Sequence, residues 1–252
     1  LFDEIEKAHK DIFNVLRIIG EVDTYLSISK LIKKSFNKVG KFCFPEYSRS
    51  AKPIINIEEF WHPYLDSNTV ITNSLNIGGE NPNNLVITGP NAGGKSTSIK
   101  SVCISLILGQ TIGVVPCKSA TITPFDFINT YLNIPDCKGK ESLFEAEMHR
   151  ARDHIYSLDK LDKNKKSFVI MDEIFSSTNP EEGISGGYAI ANKLSSYDNS
   201  VALITTHFNY LTKLEKEGRY RNIRIPITRD EKGAIAYPYK IEKGISDQFI
   251  AL

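Results

Sequence analysis

The first 39 residues repeat apolar side chains in alternating steps of four and three, the spacing of one stripe along a helix. The stripe consists of Leu1, Ile5, Ala8, Ile12, Val15, Ile19, Val22 and Leu26. We therefore predict a helical segment over residues 1–39 whose stripe packs against another helix, with ordinary helix packing favoured over a dimer zipper. Gly20 lies off the stripe, and we expect the helix to bend or divide there.

Beyond residue 40 the pattern changes to short apolar runs that alternate with helical patterns. The runs typical of strands lie at 53–57, 69–71, 85–88, 168–171 and 201–205. The later helical patterns lie at 95–110, at 183–194 and from about 208. Continuous apolar strands that alternate with helices indicate a parallel sheet covered on both faces. We predict one α/β domain over residues 40–252, with a mostly parallel sheet flanked by helices.

Composition and charge exclude some classes of function but do not identify one. With 41% hydrophobic and 24% charged residues, the chain is an ordinary globular sequence. A net charge of +1 gives no global basic field, so DNA contacts are expected from a local patch or from regions outside this chain. No apolar run approaches the roughly 20 residues that span a bilayer. Because the sequence starts at Leu1 without a signal peptide, we expect a fragment of an intracellular protein with no membrane contact.

The cysteines favour neither a zinc site nor a disulfide framework. They are Cys43, Cys103, Cys117 and Cys137, which are widely spaced and form no C-x-x-C pair. Reduced thiols are therefore the expectation.

A glycine-rich loop follows the run at 85–88 and precedes a helical pattern. It consists of Gly89, Pro90, Asn91, Ala92, Gly93, Gly94, Lys95, Ser96 and Thr97. Its glycines let backbone N–H groups converge on phosphate oxygens, and the helix start adds a positive dipole end. Lys95 supplies a cation for the outer phosphates, and Ser96 supplies a hydroxyl for Mg²⁺. This G-x-x-x-x-G-K-S pattern, in this context, predicts a P-loop NTPase fold of the ABC-ATPase-like type that binds ATP and Mg²⁺. We also count Asn91 among the catalytic candidates.

Two carboxylates and a histidine follow the later strand runs. Asp172, after the run at 168–171, is predicted to bind Mg²⁺ directly or through water, and Glu173 to polarise the attacking water. Adjacent carboxylates could equally form a solvated turn, although the upstream phosphate loop favours the catalytic interpretation. His207, after the run at 201–205, is placed to sense the γ-phosphate, whereas a lone histidine is more often structural.

Several motifs together resemble the MutS family of DNA mismatch repair ATPases. They are WHPYL (61–65), Asn73 with Leu75 and Asn76, GPNAGGKST (89–97), GKESLFEAEM (139–148), MDEIFSSTNPEEG (171–183), ITTHF (204–208) and KGIS (243–246). Glu21-Val22-Asp23 is similar to the last helix that returns from the lever arms of that family. The resemblance implies a composite dimer with an identical or related subunit, in which ATP drives a clamp on mismatched or branched DNA. It also implies that Ser142 meets the γ-phosphate of the other subunit, while Ser142 with Glu145 forms a capping box by itself.

This sequence departs from the family at several positions, which indicates a divergent branch. Ala92 stands where mismatch-repair members carry Met, and Phe175-Ser176-Ser177 where they carry a Gly-Arg-Gly stretch. Val70 replaces an aromatic residue that stacks on adenine in many members. We therefore expect Tyr239 or backbone groups to contact the base.

Two other function classes remain open. The stretch at 184–188, ISGGY, resembles the signature of ABC-transporter ATPases, but it follows Asp172 instead of preceding it. We interpret Gly186 and Gly187 as sites of close helix–sheet packing. The alternatives are an ABC-transporter-type ATPase subunit, which would co-purify with a membrane subunit, and an ATP-switched interaction module without DNA binding.

Overall fold

The computed structural model describes residues 2–132, 142–229 and 235–246. The helices are α1 (Phe2–Ser35), α2 (Lys95–Ile112), α3 (Leu143–Asp159), α4 (Pro180–Leu194) and a 3₁₀ helix (Asn209–Glu217). The strands are β1 (Glu46–Tyr47), β2 (Ile54–Phe60), β3 (Asn73–Gly78), β4 (Asn84–Thr88), β5 (Ser119–Ile122), β6 (Phe127–Tyr131), β7 (Ser167–Met171), β8 (Ser200–Thr205), β9 (Tyr220–Arg224), β10 (Thr228–Arg229), β11 (Ile235–Ala236) and β12 (Glu242–Lys243). Cys137 and residues 139–141 of the predicted signature stretch lie outside the described residues.

The main sheet has the strand order β12-β9-β4-β8-β7-β6. Strands β9, β4, β8, β7 and β6 run parallel to one another, and β12 pairs antiparallel with β9. A smaller sheet with the order β1-β5-β2-β3 contains both parallel and antiparallel pairs. Strands β10 and β11 form an antiparallel pair. The fold is therefore α/β with mixed sheets flanked by helices, and the predicted parallel arrangement holds for most of the main sheet only.

One predicted strand is wrong. The run at 69–71 forms a turn, because the N–H groups of Thr69 and Val70 both donate to the carbonyl of Asp66, at 3.2 and 3.0 Å. The next strand, β3, begins at Asn73. The other four apolar runs lie in β2, β4, β7 and β8.

Alternate residues of the main strands pack on opposite faces of the sheet. On β8, Val201 and Leu203 join the cluster that includes α2, whereas Ala202 and Ile204 join the cluster that includes α3 and α4. The same alternation on β7 places Phe168 and Ile170 in the α2 cluster. Because side chains alternate with a period of two along a strand, the next residues, at 172 and 205, are directed to the α2 side.

The N-terminal helix is continuous from Phe2 to Ser35, so Gly20 does not divide it. The stripe side chains of α1 are exposed, including Ile12 at 58% and Ile19 at 57%. The expectation that this stripe packs against another helix is therefore not met within the described residues. None of the helices in this described part of the chain is both long enough and apolar enough to cross a bilayer.

We predict that burial of His154 makes the fold less stable at mildly acidic pH. The side chain of His154 on α3 is 2% exposed, and burial lowers its pKa from 6.5 to about 4. Between about pH 6.5 and pH 4, His154 binds a proton in the unfolded chain but not in the folded chain. The free energy of unfolding therefore falls as the pH drops through this range. The expected loss at pH 5.5 relative to pH 8 is about 1.4 kcal/mol from this residue. Urea unfolding across this pH range measures it.

The matched variants are His154→Gln, which should flatten the pH dependence, and His149→Gln at an exposed position of the same helix, which should keep it. Equal pH slopes in the parent and His154→Gln proteins would contradict the assignment.

Candidate functional site

The glycine-rich loop connects β4 to α2 at the carboxyl end of the main sheet. Gly94 caps α2 with a φ of 97°, and the helix begins at Lys95 without a side-chain cap or an acidic residue in its first turn. The first N–H groups of a helix have no intrahelical acceptor, and the dipole makes this end positive. The loop and the start of α2 therefore form a concave, amide-rich surface suited to an anion.

Lys95 carries the cation of this surface. Its side chain is 4% exposed, and Nζ donates to the carbonyls of Gly89 at 3.0 Å and Pro90 at 3.1 Å. Burial lowers the pKa of Lys95, while the negative charges of Glu173 and Asp172 act in the opposite direction. The ammonium group is thus held beside two carboxylates and backbone oxygens, where an anionic ligand would add a further counter-charge.

The carboxylate of Asp172 faces the start of α2. Its Oδ1 accepts hydrogen bonds from Ser96 Oγ at 3.0 Å and from Thr205 Oγ1 at 2.6 Å. Asp172 follows β7 and Thr205 ends β8, and these neighbouring parallel strands reach the same edge of the sheet. The sheet order therefore brings together Ser96 and Asp172, which lie 76 positions apart in the sequence.

Glu173 and His207 form a second pair beyond Asp172. His207 Nε2 lies 2.9 Å from Glu173 Oε1, and since a carboxylate only accepts, the imidazole is the donor. The same oxygen lies 3.9 Å from Lys95 Nζ. The hydrogen bond from His207 lowers the pKa of Glu173, against the opposing effect of burial. This hydrogen bond therefore favours the ionised form of Glu173.

An open cavity of about 600 Å³ adjoins the loop. The residues that the sequence predicted for the site and that line this cavity are Pro90, Asn91, Ala92, Gly94, Lys95, Ser96, Thr97, Glu173 and Tyr239. An apolar part is lined by Phe60, Trp61 and Val70. The cavity thus joins a polar end at the loop to an apolar end.

Tyr239 closes the cavity beside the loop. A Cβ on Gly94 would lie 3.2 Å from Tyr239 Cδ1, so the ring packs directly against the glycine. Asn73 holds this segment, donating from Nδ2 to the carbonyl of Tyr239 at 3.0 Å and accepting from the N–H of Ile241 at 2.9 Å. The position of Tyr239 therefore depends on an asparagine 166 residues earlier in the chain.

Ser142 is the N-cap of α3 and forms the predicted capping box. Its Oγ accepts from the N–H of Glu145 at 3.2 Å, and its own N–H donates to Glu145 Oε2 at 2.9 Å. The structure places Ser142 in these local contacts and does not bring it into the cavity lining. Its proposed role in another subunit remains a prediction.

The loop after the acid pair is tied to α3. Ser177 Oγ donates to Glu147 Oε2 at 2.6 Å, and burial raises the pKa of Glu147. Phe175 has a φ of 55°, and its buried ring packs edge-on against Phe144 at 5.7 Å. These two contacts hold the loop against α3.

Gly186 and Gly187 lie within α4, as expected for packing glycines. A Cβ on Gly186 would approach the Phe175 ring to 3.0 Å, so the close contact is with the loop after β7 and not with a strand. A Cβ on Gly187 would meet Leu211 at 3.5 Å, an ordinary contact distance. Gly186 is therefore a site of close packing as predicted, but it packs against the Phe175 ring and not against the sheet.

Three hydrogen bonds at or beside the candidate site were not predicted from the sequence: Thr205 with Asp172, Asn73 with Tyr239, and Glu147 with Ser177. Thr205 follows Val201 and Leu203 on one face of β8, so strand alternation could have identified it. The other two contacts join distant segments, and no local pattern indicates them.

The residues present fit a magnesium–phosphate ligand. Adjacent oxygen ligands of an octahedral Mg²⁺ ion at 2.0–2.1 Å lie about 2.9 Å apart. Ser96 Oγ and Asp172 Oδ1 are 3.0 Å apart, and both are the hard oxygen donors that this ion prefers. Two protein oxygens leave positions for phosphate and water, which is common for Mg²⁺.

A glycine-rich loop, a carboxylate facing a serine, and a carboxylate–histidine pair define this candidate site at the carboxyl edge of the main sheet. The family model of MutS domain V matches residues 85–252, more than half of the chain. The chain belongs to the MutS family.

Similarity to known proteins extends over nearly the whole chain. It is 29% identical over 258 residues to the DNA mismatch repair protein MutS of Listeria welshimeri, covering 98% of this chain and 28% of that protein. It is 30% identical over 271 residues to the DNA mismatch repair protein MutS of Leuconostoc mesenteroides, covering 96% of this chain and 31% of that protein. It is 24% identical over 261 residues to the DNA mismatch repair protein MSH3 of Coccidioides immitis, covering 100% of this chain and 22% of that protein. The chain thus spans less than a third of each relative.

We predict that Gly94→Ala destabilises the protein by at least about 1–2 kcal/mol, the cost of a left-handed conformation for an L-residue. Crowding against Tyr239 adds to this cost, because the new Cβ would lie 3.2 Å from the ring. Gly20→Ala is the control, since Gly20 lies within α1 and no atom lies within 4 Å of the position that a methyl group would take there. It should stabilise the helix by about 0.5–1 kcal/mol. Urea unfolding measures both changes, and the same sign for both would contradict the strain assigned to Gly94.

Proposed function

We propose that this chain is the ATPase domain of a MutS-like DNA mismatch repair or DNA-processing protein, with a P-loop NTPase fold that binds and hydrolyses Mg-ATP. The observation that carries the proposal is the contact between Ser96 and Asp172 beside the buried ammonium group of Lys95. A cation, a hydroxyl and a carboxylate at one helix start are the groups that a metal-bound triphosphate requires.

The roles of the residues follow from their positions. The loop amides and Lys95 bind the phosphates, and Ser96 with Asp172 holds the metal. When bound, Mg²⁺ neutralises charge on the phosphate oxygens. Glu173 would orient and polarise the attacking water, and His207 would fix the Glu173 carboxylate through their 2.9 Å contact and sense the γ-phosphate. Tyr239 and the apolar end of the cavity are proposed to contact the base.

Assembly and DNA binding are proposed from the family. The relatives are DNA mismatch repair proteins by name, and this chain spans less than a third of their length. We propose that two ATPase domains, identical or related, meet across the nucleotide, with Ser142 of each directed to the ATP of the other. Regions outside this chain would make most contacts with mismatched or branched DNA.

The first test removes the buried cation. In Lys95→Ala, loss of the ammonium group should lower kcat/KM for ATP by about 10²–10³-fold, as expected when one preorganised charge-stabilising group is deleted. Steady-state phosphate release by the full-length protein measures the change. Lys118→Ala is the matched control, because that lysine is exposed and donates to Glu59 of β2 at 2.9 Å. Parental hydrolysis in Lys95→Ala would reject the site.

The second test separates binding from hydrolysis. Glu173→Gln keeps the shape of the side chain but removes the base, so kcat should fall by about 10²–10⁴-fold. Nucleotide affinity should stay within about twofold, since Lys95, Ser96 and Asp172 are intact. The variant should accumulate as an ATP-dependent dimer in sedimentation experiments, because the bound nucleotide is not consumed.

Glu181→Gln, an exposed carboxylate in the first turn of α4, is the control and should turn over like the parent. A Glu173→Gln protein that binds ATP but stays monomeric would refute the composite dimer while leaving the nucleotide site in place.

A further inference from the structure

A single hydroxyl group connects the two acidic residues of the site. Thr205, at the end of β8, is fully buried. Its Oγ1 donates to Asp172 Oδ1 at 2.6 Å and accepts from the N–H of Glu173 at 2.8 Å. The hydroxyl is thus used as donor and acceptor at once, on a β-branched side chain whose χ1 has few alternatives.

The backbone of Glu173 needs such a partner. Its φ of 52° is rare for a residue other than glycine. The N–H of Asp172 still donates to the carbonyl of Tyr131 at 3.1 Å, whereas the N–H of Glu173 turns away and ends on Thr205. Without the hydroxyl, this amide would lose its acceptor at a point where the chain is already strained.

The turn also directs the Glu173 side chain. Its Oε1 reaches His207 Nε2 at 2.9 Å and lies 3.9 Å from Lys95 Nζ. On the other side of the hydroxyl, Asp172 Oδ1 receives Thr205 and Ser96 together, which limits rotation of the carboxylate. Thr205 therefore touches both the metal-binding and the water-polarising groups through one atom.

We infer that Thr205 is a positioning residue of the site, whose hydroxyl orients the Asp172 carboxylate towards Ser96 and holds Glu173 in its turned conformation. This inference rests on the proposed hydrolysis of Mg-ATP and adds a residue to it. Thr205 contacts neither nucleotide nor water in this role, and acts only through its two neighbours.

The test compares Thr205→Val with Thr205→Ser in the full-length protein. Valine keeps the branched shape and removes the hydroxyl, whereas serine keeps the hydroxyl and removes the methyl group. Thr205→Val should lower kcat by about 10–100-fold, the usual effect of removing a group that orients a metal ligand. It should also raise the Mg²⁺ concentration needed for half-maximal hydrolysis. Thr205→Ser should recover most of both properties.

Binding of a fluorescent ATP analogue provides a readout besides turnover. In EDTA, where no metal is available, Thr205→Val and the parent should bind the analogue with affinities within about twofold, because the loop amides and Lys95 are unchanged. With Mg²⁺, the gain in affinity should be smaller in Thr205→Val, because Asp172 is less well oriented.

Thr212→Val is the matched control. Thr212 is 7% exposed, and its hydroxyl donates to the carbonyl of Asn209 at 2.6 Å, away from the acid pair. It should retain parental kcat and Mg²⁺ dependence. Thermal unfolding checks that each variant is folded. If Thr205→Val does not fold, Thr205→Ala and Thr205→Ser replace it as a pair that differs by one hydroxyl.

The inference is overturned if Thr205→Val has parental kcat and Mg²⁺ dependence, or if Thr205→Ser is as impaired as Thr205→Val. A parent protein with no Lys95-dependent hydrolysis gives a separate result, because it rejects the proposed function and this inference with it.

Discussion

One carboxylate oxygen, Oδ1 of Asp172, holds the candidate site together. It accepts a hydroxyl from Ser96 at the start of α2 and another from Thr205 at the end of β8. These contacts require β4, β8 and β7 to be parallel neighbours, so that the loop after β4 and the ends of the other two strands meet. They also require strand alternation to direct residues 172 and 205 towards α2. The order of the sheet is therefore the constraint on which the site chemistry depends.

Backbone strain is concentrated around this contact. Within the described ranges, the residues other than glycine with positive φ are Glu59, Ala92, Glu173, Phe175 and Tyr239. All of these except Glu59 lie in the glycine-rich loop, in the segment at 172–177 that follows β7, or in the wall of the cavity. Each costs free energy and persists only where neighbours stabilise it. Thr205 supports Glu173, Asn73 supports Tyr239, and the Phe144 ring supports Phe175. Strain held in this way is typical of a site whose geometry must be maintained before a ligand binds.

The contacts around Phe175 also connect the site to α3. Ser177 bonds the buried carboxylate of Glu147, and the ring of Phe175 fills the space beside Gly186. The stretch at 175–177 is thus held against α3 and α4 by a hydrogen bond and by ring packing.

Local chemistry in the sequence was enough to predict β2, β4, β7 and β8, the glycine-rich loop, the acid pair and the capping box at Ser142, because these depend on neighbouring residues. It did not predict β6, β9 or β12, which complete the main sheet. It did not identify the turn at 69–71, where backbone bonds to Asp66 override apolar character. Nor did it identify the contacts of Thr205 and Asn73, whose partners lie 33 and 166 residues away. Such contacts exist only once the strands are ordered in space. The stripe of α1 shows the converse limit: periodicity predicts a helix, whereas the surface that would cover the stripe depends on other elements.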